Sequence, residues 1–95
     1  MKIISADLNE LRNKMDKIDN ELVRLFEQRM EVSGEIAHYK QMHNLQIYDP
    51  SREQEKIQDL SQKVKKEYET CITALYSLLF KLSRENQERI QQKKD

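Results

Sequence analysis

The residues of this sequence that are best suited to chemistry are cations placed within an apolar pattern. Arg29 occupies a position of that pattern between Leu25 and Val32. An unpaired guanidinium in a core is costly, so an anionic group should meet Arg29. On a helix, Lys40 would lie within about 20° of the same face, roughly 16 Å further along the axis. The two cations together predict a surface that binds an anionic ligand.

A third cation, Arg12, cannot reach the same small ligand from the same helix. It would lie about 25 Å from Arg29 and be turned from it by about 100°. An antiparallel partner helix could bring the two arginines together. The alternative stays open, because a lone arginine in an apolar seam is more often paired with a protein carboxylate than with a ligand, and a lone lysine is most often solvated.

Two further polar groups are ambiguous when each is taken alone. Asp49 precedes a proline and would serve as a helix cap, while Arg52 and Glu53 could be plain surface charges. Ser83 and Gln87 stand four residues apart, which places them on one face of a helix. An uncharged polar pair beside an apolar stripe is usually structural. The order and spacing of all these residues together are what favour a binding site.

A long first helix must position the first three cations. Its apolar residues alternate spacings of three and four, which is typical of a helix with a narrow apolar seam. They are Leu8, Leu11, Met15, Ile18, Leu22, Leu25, Val32 and Ile36. We expect this helix to run from about Asp7 to His43. Asp7 and Glu10 form a plausible capping box, and Asn44 is a suitable stop.

The length of this helix predicts a second copy of the chain. It would be about 55 Å long, too long for two shorter helices to cover its seam. A coiled coil or helical bundle without any chemistry is the plain alternative, and composition alone favours it. Gly34 falls in mid-helix at a cost of about 1 kcal/mol relative to alanine. Close packing, a ligand or simple tolerance would each explain this glycine.

Two shorter helices should follow, so the fold class is all-α with three helices in a single domain over residues 1–95. Asp49 caps the second helix and Pro50 suits its first position. The second helix carries Ile57, Leu60 and Val64, and the third carries Ile72, Leu75, Leu78, Leu79 and Leu82. Only a charge cluster at 63–69 indicates the break between them. Residues 91–95 form a polar tail.

Composition excludes several function classes. The 95 residues include 17 basic and 17 acidic side chains, so no net field attracts nucleic acid. No apolar run could cross a bilayer or form a signal-peptide core, which predicts no membrane partner and a cytoplasmic location. Cys71 is the single cysteine, which fits a reducing compartment, and its apolar neighbours predict that it is buried.

The polar positions and the apolar residues between them resemble the all-helical type II chorismate mutases. The resemblance covers about residues 6–90. Its motif consists of Leu11, Arg12, Ile18, Asp19, Leu22, Leu25 and Arg29, then Ile36, Ala37 and Lys40, then Asp49, Arg52 and Glu53, and lastly Ser83 and Gln87. The resemblance implies rearrangement of chorismate to prephenate by an intertwined homodimeric helical bundle.

The same resemblance implies a role for each cation. Arg12 would be donated in trans by the partner chain, with Arg29 and Arg52 in cis, to bind the carboxylates of chorismate. Lys40 and Gln87 would donate hydrogen bonds to the ether oxygen of the breaking bond. The implied catalytic residues are Lys40, Gln87 and Arg29.

The resemblance also implies substrate contacts for three remaining positions. Asp49 and Glu53 would hold the ring hydroxyl and order the loop, and Ser83 would lie near a carboxylate. The rearrangement is intramolecular, so no metal, cofactor or nucleophile is implied. His38 and His43, spaced by five, are expected at the surface rather than in a metal site.

Two rival functions remain open at this point. An isochorismate-pyruvate lyase of the same fold would use a similar cationic pocket, although the intact Asp49, Arg52 and Glu53 favour the mutase. A non-catalytic helical dimerisation or regulatory module would not need Arg29 in its seam or Gln87 opposite it.

Overall fold

The computed structural model, which describes residues 7–93, is all-helical over that range. It contains α1 (Leu8–Met42), α2 (Pro50–Ser61), a short 3-10 helix (Lys66–Tyr68) and α3 (Glu69–Gln92). The prediction of three helices without strands is confirmed for these residues. The described chain divides into two compact units, one ending at Glu31 and the other beginning at Val32.

Local hydrogen bonds at both ends explain where α1 begins and ends. Asp7 Oδ1 accepts a hydrogen bond from the Glu10 amide at 2.9 Å, as an N-cap does. At the other end Asn44 has a φ of 56°, in the left-handed region that asparagine tolerates. The Leu45 amide then donates to the Lys40 carbonyl at 2.8 Å, which completes a Schellman motif. Both predicted ends of this helix are confirmed to within one residue.

The second helix begins as predicted and ends earlier. The Asp49 side chain accepts from the Arg52 amide at 3.1 Å, and Pro50 is the first residue of α2. Val64 was expected on this helix, and that prediction is wrong because α2 ends at Ser61. The Lys63 amide donates to the Leu60 carbonyl at 3.0 Å, a tightened last turn, and Lys65 is extended at φ −60° and ψ 147°. The charge cluster therefore contains the break.

Two predictions about the third helix need correction. Residues 91–95 were expected to form a tail, whereas α3 continues to Gln92 because its backbone hydrogen bonds extend past the last apolar residue. Residues 94 and 95 lie outside the described range. Cys71 was expected to be buried and is exposed, since α3 turns Ile72 and Tyr76, not Cys71, toward the protein. Apolar neighbours at helical spacing did not determine which of them faces inward.

Small side chains let α1 approach α3 closely. The buried residues of α1 are Ser33, Gly34 and Ala37. A Cβ added at Gly34 would lie 3.0 Å from the terminal carbon of Ile90, closer than ordinary van der Waals contact. Of the three explanations for Gly34, close packing is therefore the one that the structure supports.

The apolar core of the second unit is small. Ala37 and Phe80 are its buried hydrophobic residues, and the ring of Tyr76 meets that of Phe80 edge-on, with 5.8 Å between their centroids. Leu75 and Leu78 on α3 remain about half exposed. Within the described residues, no helix has the length and apolarity needed to cross a membrane.

The contact between Gly34 and Ile90 predicts that substitutions at these positions are coupled. Gly34→Ala should gain up to about 1 kcal/mol of helix propensity, offset by the crowded Ile90 terminus. The Ile90→Val variant lacks that terminal carbon. In this background, Gly34→Ala should change the free energy of unfolding more favourably than in the wild type, by about 0.5–1 kcal/mol. Urea unfolding at one fixed chain concentration measures all four free energies of unfolding.

Ile57→Val on α2 is the matched control, because it removes the same methyl group away from Gly34. The effects of Gly34→Ala and Ile57→Val on the free energy of unfolding should be additive. If the effects of Gly34→Ala and Ile90→Val on the free energy of unfolding are also additive, the close approach at Gly34 does not limit the packing of α1 on α3.

Candidate active site

The structure brings two of the predicted site residues together in one buried cluster between α1 and α3. Gln87 Nε2 donates to Ser33 Oγ at 3.0 Å, and Ser83 Oγ donates to the same oxygen at 3.2 Å. Ser33 in turn donates to the Ser83 carbonyl at 3.4 Å. Gln87 is only 7% exposed and Ser83 only 8%. A polar cluster so deeply placed in a thin core is costly unless its groups are paired.

One atom of this cluster is not paired. The Gln87 Oε1 atom is the buried side-chain oxygen or nitrogen without a hydrogen-bond partner among the described residues. A buried acceptor left without a donor costs about 1–3 kcal/mol. Because nearly all buried polar atoms in native structures are paired, an unpaired one calls for an explanation. Gln87 is therefore the candidate residue that most clearly requires an explanation beyond packing.

Lys40 lies in the last turn of α1, just before the loop that connects α1 to α2. Its Nζ donates to the Ile47 carbonyl at 2.9 Å, and the residue is half-buried. An ammonium carries three hydrogens, so this contact leaves two of them for other acceptors. A surface pocket beside it is lined by Lys40, Asn44, Leu45, Gln46, Tyr48, Asp49 and Pro50. Lys40 and Asp49 thus line one pocket.

The three candidates around the start of α2 have separate surroundings. Asp49 caps α2 through its side chain. Arg52 is exposed and has Glu55 at 4.0 Å, a distance typical of a weak surface pair. Glu53 is half-buried and forms an ion pair with Arg84.

The ion pair of Glu53 connects α2 to α3. The Arg84 guanidinium also lies over the ring of Tyr48, 4.8 Å from its centroid. Through its contacts with Glu53 and Tyr48, Arg84 on α3 therefore fixes the end of the loop that precedes α2 and the start of α2 itself. Arg84 was not predicted from the sequence, and no local signal marks it, because its partners stand more than thirty positions earlier in the chain.

Arg12 and Arg29 belong to the first unit and are described within it. Arg12 is exposed, and Arg29 is half-buried. The apolar residues of α1 in this unit are largely exposed, at 40–60% for the seam residues Leu8, Leu11, Met15, Ile18, Leu22 and Leu25 and for their neighbours Val23 and Phe26. Exposure of so many apolar side chains on one helix is typical of a surface that a partner covers.

Four of the predicted site residues are cations, namely Arg12, Arg29, Lys40 and Arg52. Within residues 7–93, no group of three metal-binding side chains occurs. The expected exposure of His38 and His43 is confirmed, and the His43 ring stacks on Tyr39. On α2, the hydrogen bond from Lys63 holds the pKa of the Asp59 carboxyl below its usual value, and neither residue is a site candidate.

Comparison with known proteins agrees with this chemistry. The family described as chorismate mutase type II matches residues 11–88. The T-protein of Haemophilus influenzae is 41% identical over 46 residues, which make up 48% of this chain and 12% of that protein. The bifunctional chorismate mutase/prephenate dehydratase of Aquifex aeolicus is 41% identical over 49 residues, 52% of this chain and 14% of that protein.

A shorter relative gives the same result. The chorismate mutase of Methanocaldococcus jannaschii is 37% identical over 46 residues, 48% of this chain and 46% of that protein. The aligned segment spans less than half the length of each of these relatives. No solved structure matches the chain. Because the family match extends over most of the sequence, the chain belongs to the type II chorismate mutase family.

Proposed function

We propose that this chain rearranges chorismate to prephenate without a cofactor. The observation that carries the proposal is the extent of the family match, which runs from residue 11 to residue 88 and so includes every predicted site residue from Arg12 to Gln87. The buried carboxamide of Gln87 and the half-buried ammonium of Lys40 support it. Both are hydrogen-bond donors at neutral pH, which is what a developing negative charge requires.

The reaction breaks one C–O bond and forms one C–C bond within a single molecule. It therefore needs neither a nucleophile nor a proton transfer, only a fixed substrate shape and stabilised charge. A rate gain of about 10⁶-fold asks for roughly 8 kcal/mol. One preorganised donor is typically worth about 2.7–4 kcal/mol, so two donors and modest restriction of the substrate suffice.

In this proposal the cations bind the two carboxylates of chorismate. Arg29 and Arg52 act from the same chain, and Arg12 comes from the partner. Bidentate contacts of guanidinium groups suit carboxylates, and they hold the substrate in a compact shape. Arg52 is exposed and its guanidinium lies 4.0 Å from the Glu55 carboxylate, a weak surface pair that leaves the guanidinium available for such a contact.

Further groups complete the binding of substrate. Lys40 and Gln87 donate to the ether oxygen. Asp49 and Glu53 hold the ring hydroxyl, and the ion pair of Glu53 with Arg84 orders that carboxylate. Ser83 lies near a substrate carboxylate.

A homodimer is part of the same proposal. The exposed apolar seam of α1 supports it, because a chain of this size gains little stability from a core as small as that around Phe80. Pairing two seams would bury most of the apolar surface that α1 exposes. An antiparallel pair would also place Arg12 of one chain near the site of the other. A cytoplasmic location is proposed too, since Cys71 has no other cysteine in the sequence with which to form a disulfide.

The activity is tested by adding the purified protein to chorismate in the presence of a chelator. We expect the ultraviolet absorbance of chorismate to fall and acid treatment to convert the product to phenylpyruvate. A folded protein that turns over isochorismate instead, with release of pyruvate, would establish the lyase. A folded protein that acts on neither compound would contradict the proposal and favour a binding module.

Shared sites predict that two inactive variants complement each other. Arg12→Ala and Arg29→Ala homodimers should each lose most activity. A hybrid dimer of the two keeps one intact site, so an equal mixture after subunit exchange should recover about a quarter of wild-type activity. Absorbance assays of chorismate loss measure the recovery, and native mass spectrometry verifies the exchange.

The control mixture combines Arg29→Ala with the Arg12→Ala/Arg29→Ala double variant. Its hybrids contain no intact site and should recover nothing. Verified exchange without recovery in the first mixture would show that each site draws both arginines from one chain.

A further inference from the structure

The side chain in closest contact with Gln87 is one that the sequence did not single out. Ser33 lies on α1, is 4% exposed, and has its Oγ 3.0 Å from Gln87 Nε2. A serine in mid-helix usually competes with the backbone or faces solvent. Ser33 does neither, because the contacts of its hydroxyl are with Ser83 and Gln87 on α3. Its hydroxyl is thus committed to the cluster that holds Gln87.

The hydroxyl of Ser33 can serve the carboxamide of Gln87 in either of two orientations. In the observed one, Ser33 Oγ accepts from Nε2, and Oε1 is buried without a donor. A half-turn about the last side-chain bond exchanges the two amide atoms. Ser33 would then donate to Oε1 and give up only its 3.4 Å contact with the Ser83 carbonyl. A hydroxyl is both donor and acceptor, so no other change is needed.

The turned orientation is the one that suits the reaction. It places Nε2 where the unpartnered Oε1 now lies, so the unpaired buried group becomes a donor, which an acceptor on the substrate can satisfy. An ether oxygen is an acceptor, so it would be repelled by Oε1 and attracted by an N–H at that position. Ser83 Oγ can continue to donate to Ser33 Oγ, which keeps that hydroxyl in place.

We propose that Ser33 is a positioning residue for the rearrangement: its hydroxyl holds the carboxamide of Gln87 with an N–H directed at the ether oxygen of the substrate. The inference rests on the proposed function and on the role of Gln87 within it. Ser33 itself does not touch the substrate. Its contribution is to fix one orientation of a group that otherwise has two.

Ser33→Ala tests this inference, and alanine keeps the helix because it is the best helix former. Loss of one net hydrogen bond predicts that kcat falls about 3- to 10-fold. KM for chorismate should change little, because the ether oxygen gains its charge only as the C–O bond lengthens. Ser33→Thr keeps a hydroxyl and should retain most of kcat.

The effect must pass through Gln87. In a Gln87→Ala background, which itself should lose activity strongly, Ser33→Ala should have no further effect on kcat. A double-mutant cycle on kcat therefore separates positioning from a general loss of structure.

Gln91→Ala is the matched control. Gln91 Nε2 donates to the Ala37 carbonyl at 2.8 Å, so this substitution also removes a hydrogen bond between α3 and α1, one helical turn beyond Gln87. It should lower the unfolding midpoint at least as much as Ser33→Ala and leave kcat near the wild-type value.

The outcomes distinguish the inference from the function on which it rests. If Gln87→Ala is impaired while Ser33→Ala has wild-type kcat, the inference is wrong and the function stands. A Ser33→Ala loss that persists in the Gln87→Ala background would also overturn it. If Gln87→Ala is fully active, the role assigned to Gln87 fails first.

Discussion

The close approach of α1 to α3 at Gly34 is the constraint on which the second unit depends. An added Cβ at this position would lie 3.0 Å from the end of Ile90, so a larger residue would require the Ile90 side chain to move. The neighbours of Gly34 on the same face, Ser33 and Ala37, are also small and buried. This narrow spacing brings Ser33 Oγ within hydrogen-bond distance of Gln87. A wider spacing between α1 and α3 would remove the hydrogen bond between Ser33 and Gln87.

The polar cluster of Ser33, Ser83 and Gln87 lies between α1 and α3, where apolar side chains would be expected in a larger protein. Ser33, Ser83 and Gln87 are buried in the same unit as the two buried hydrophobic residues, Phe80 and Ala37. Most of these polar atoms are paired, so the cluster costs little, and the one that is not is Gln87 Oε1. In the proposed homodimer, the apolar seam of α1 would supply further stability where a second chain covers it.

Much of the fold follows from local chemistry that a sequence states directly. Asp7 and Asp49 begin two helices because an aspartate side chain accepts from an amide three residues later. Asn44 ends the first because asparagine tolerates a left-handed backbone. The break after Ser61 was less well predicted, since no glycine or proline marks it and a tightened turn allows Val64 to continue the apolar spacing outside the helix.

The sequence by itself determined the helical class, the ends that have caps, and which polar residues belong to a family motif. These depend on spacings within one segment, which the chain order contains. Only the tertiary structure decided that Ser33 meets Gln87 and that Arg84 meets Glu53, and it decided that Cys71 faces outward. Those facts depend on the distance and rotation between packed helices. The spacing of residues within one helix does not determine how that helix is rotated against its neighbour. The rotation is set by how the side chains of both helices pack together.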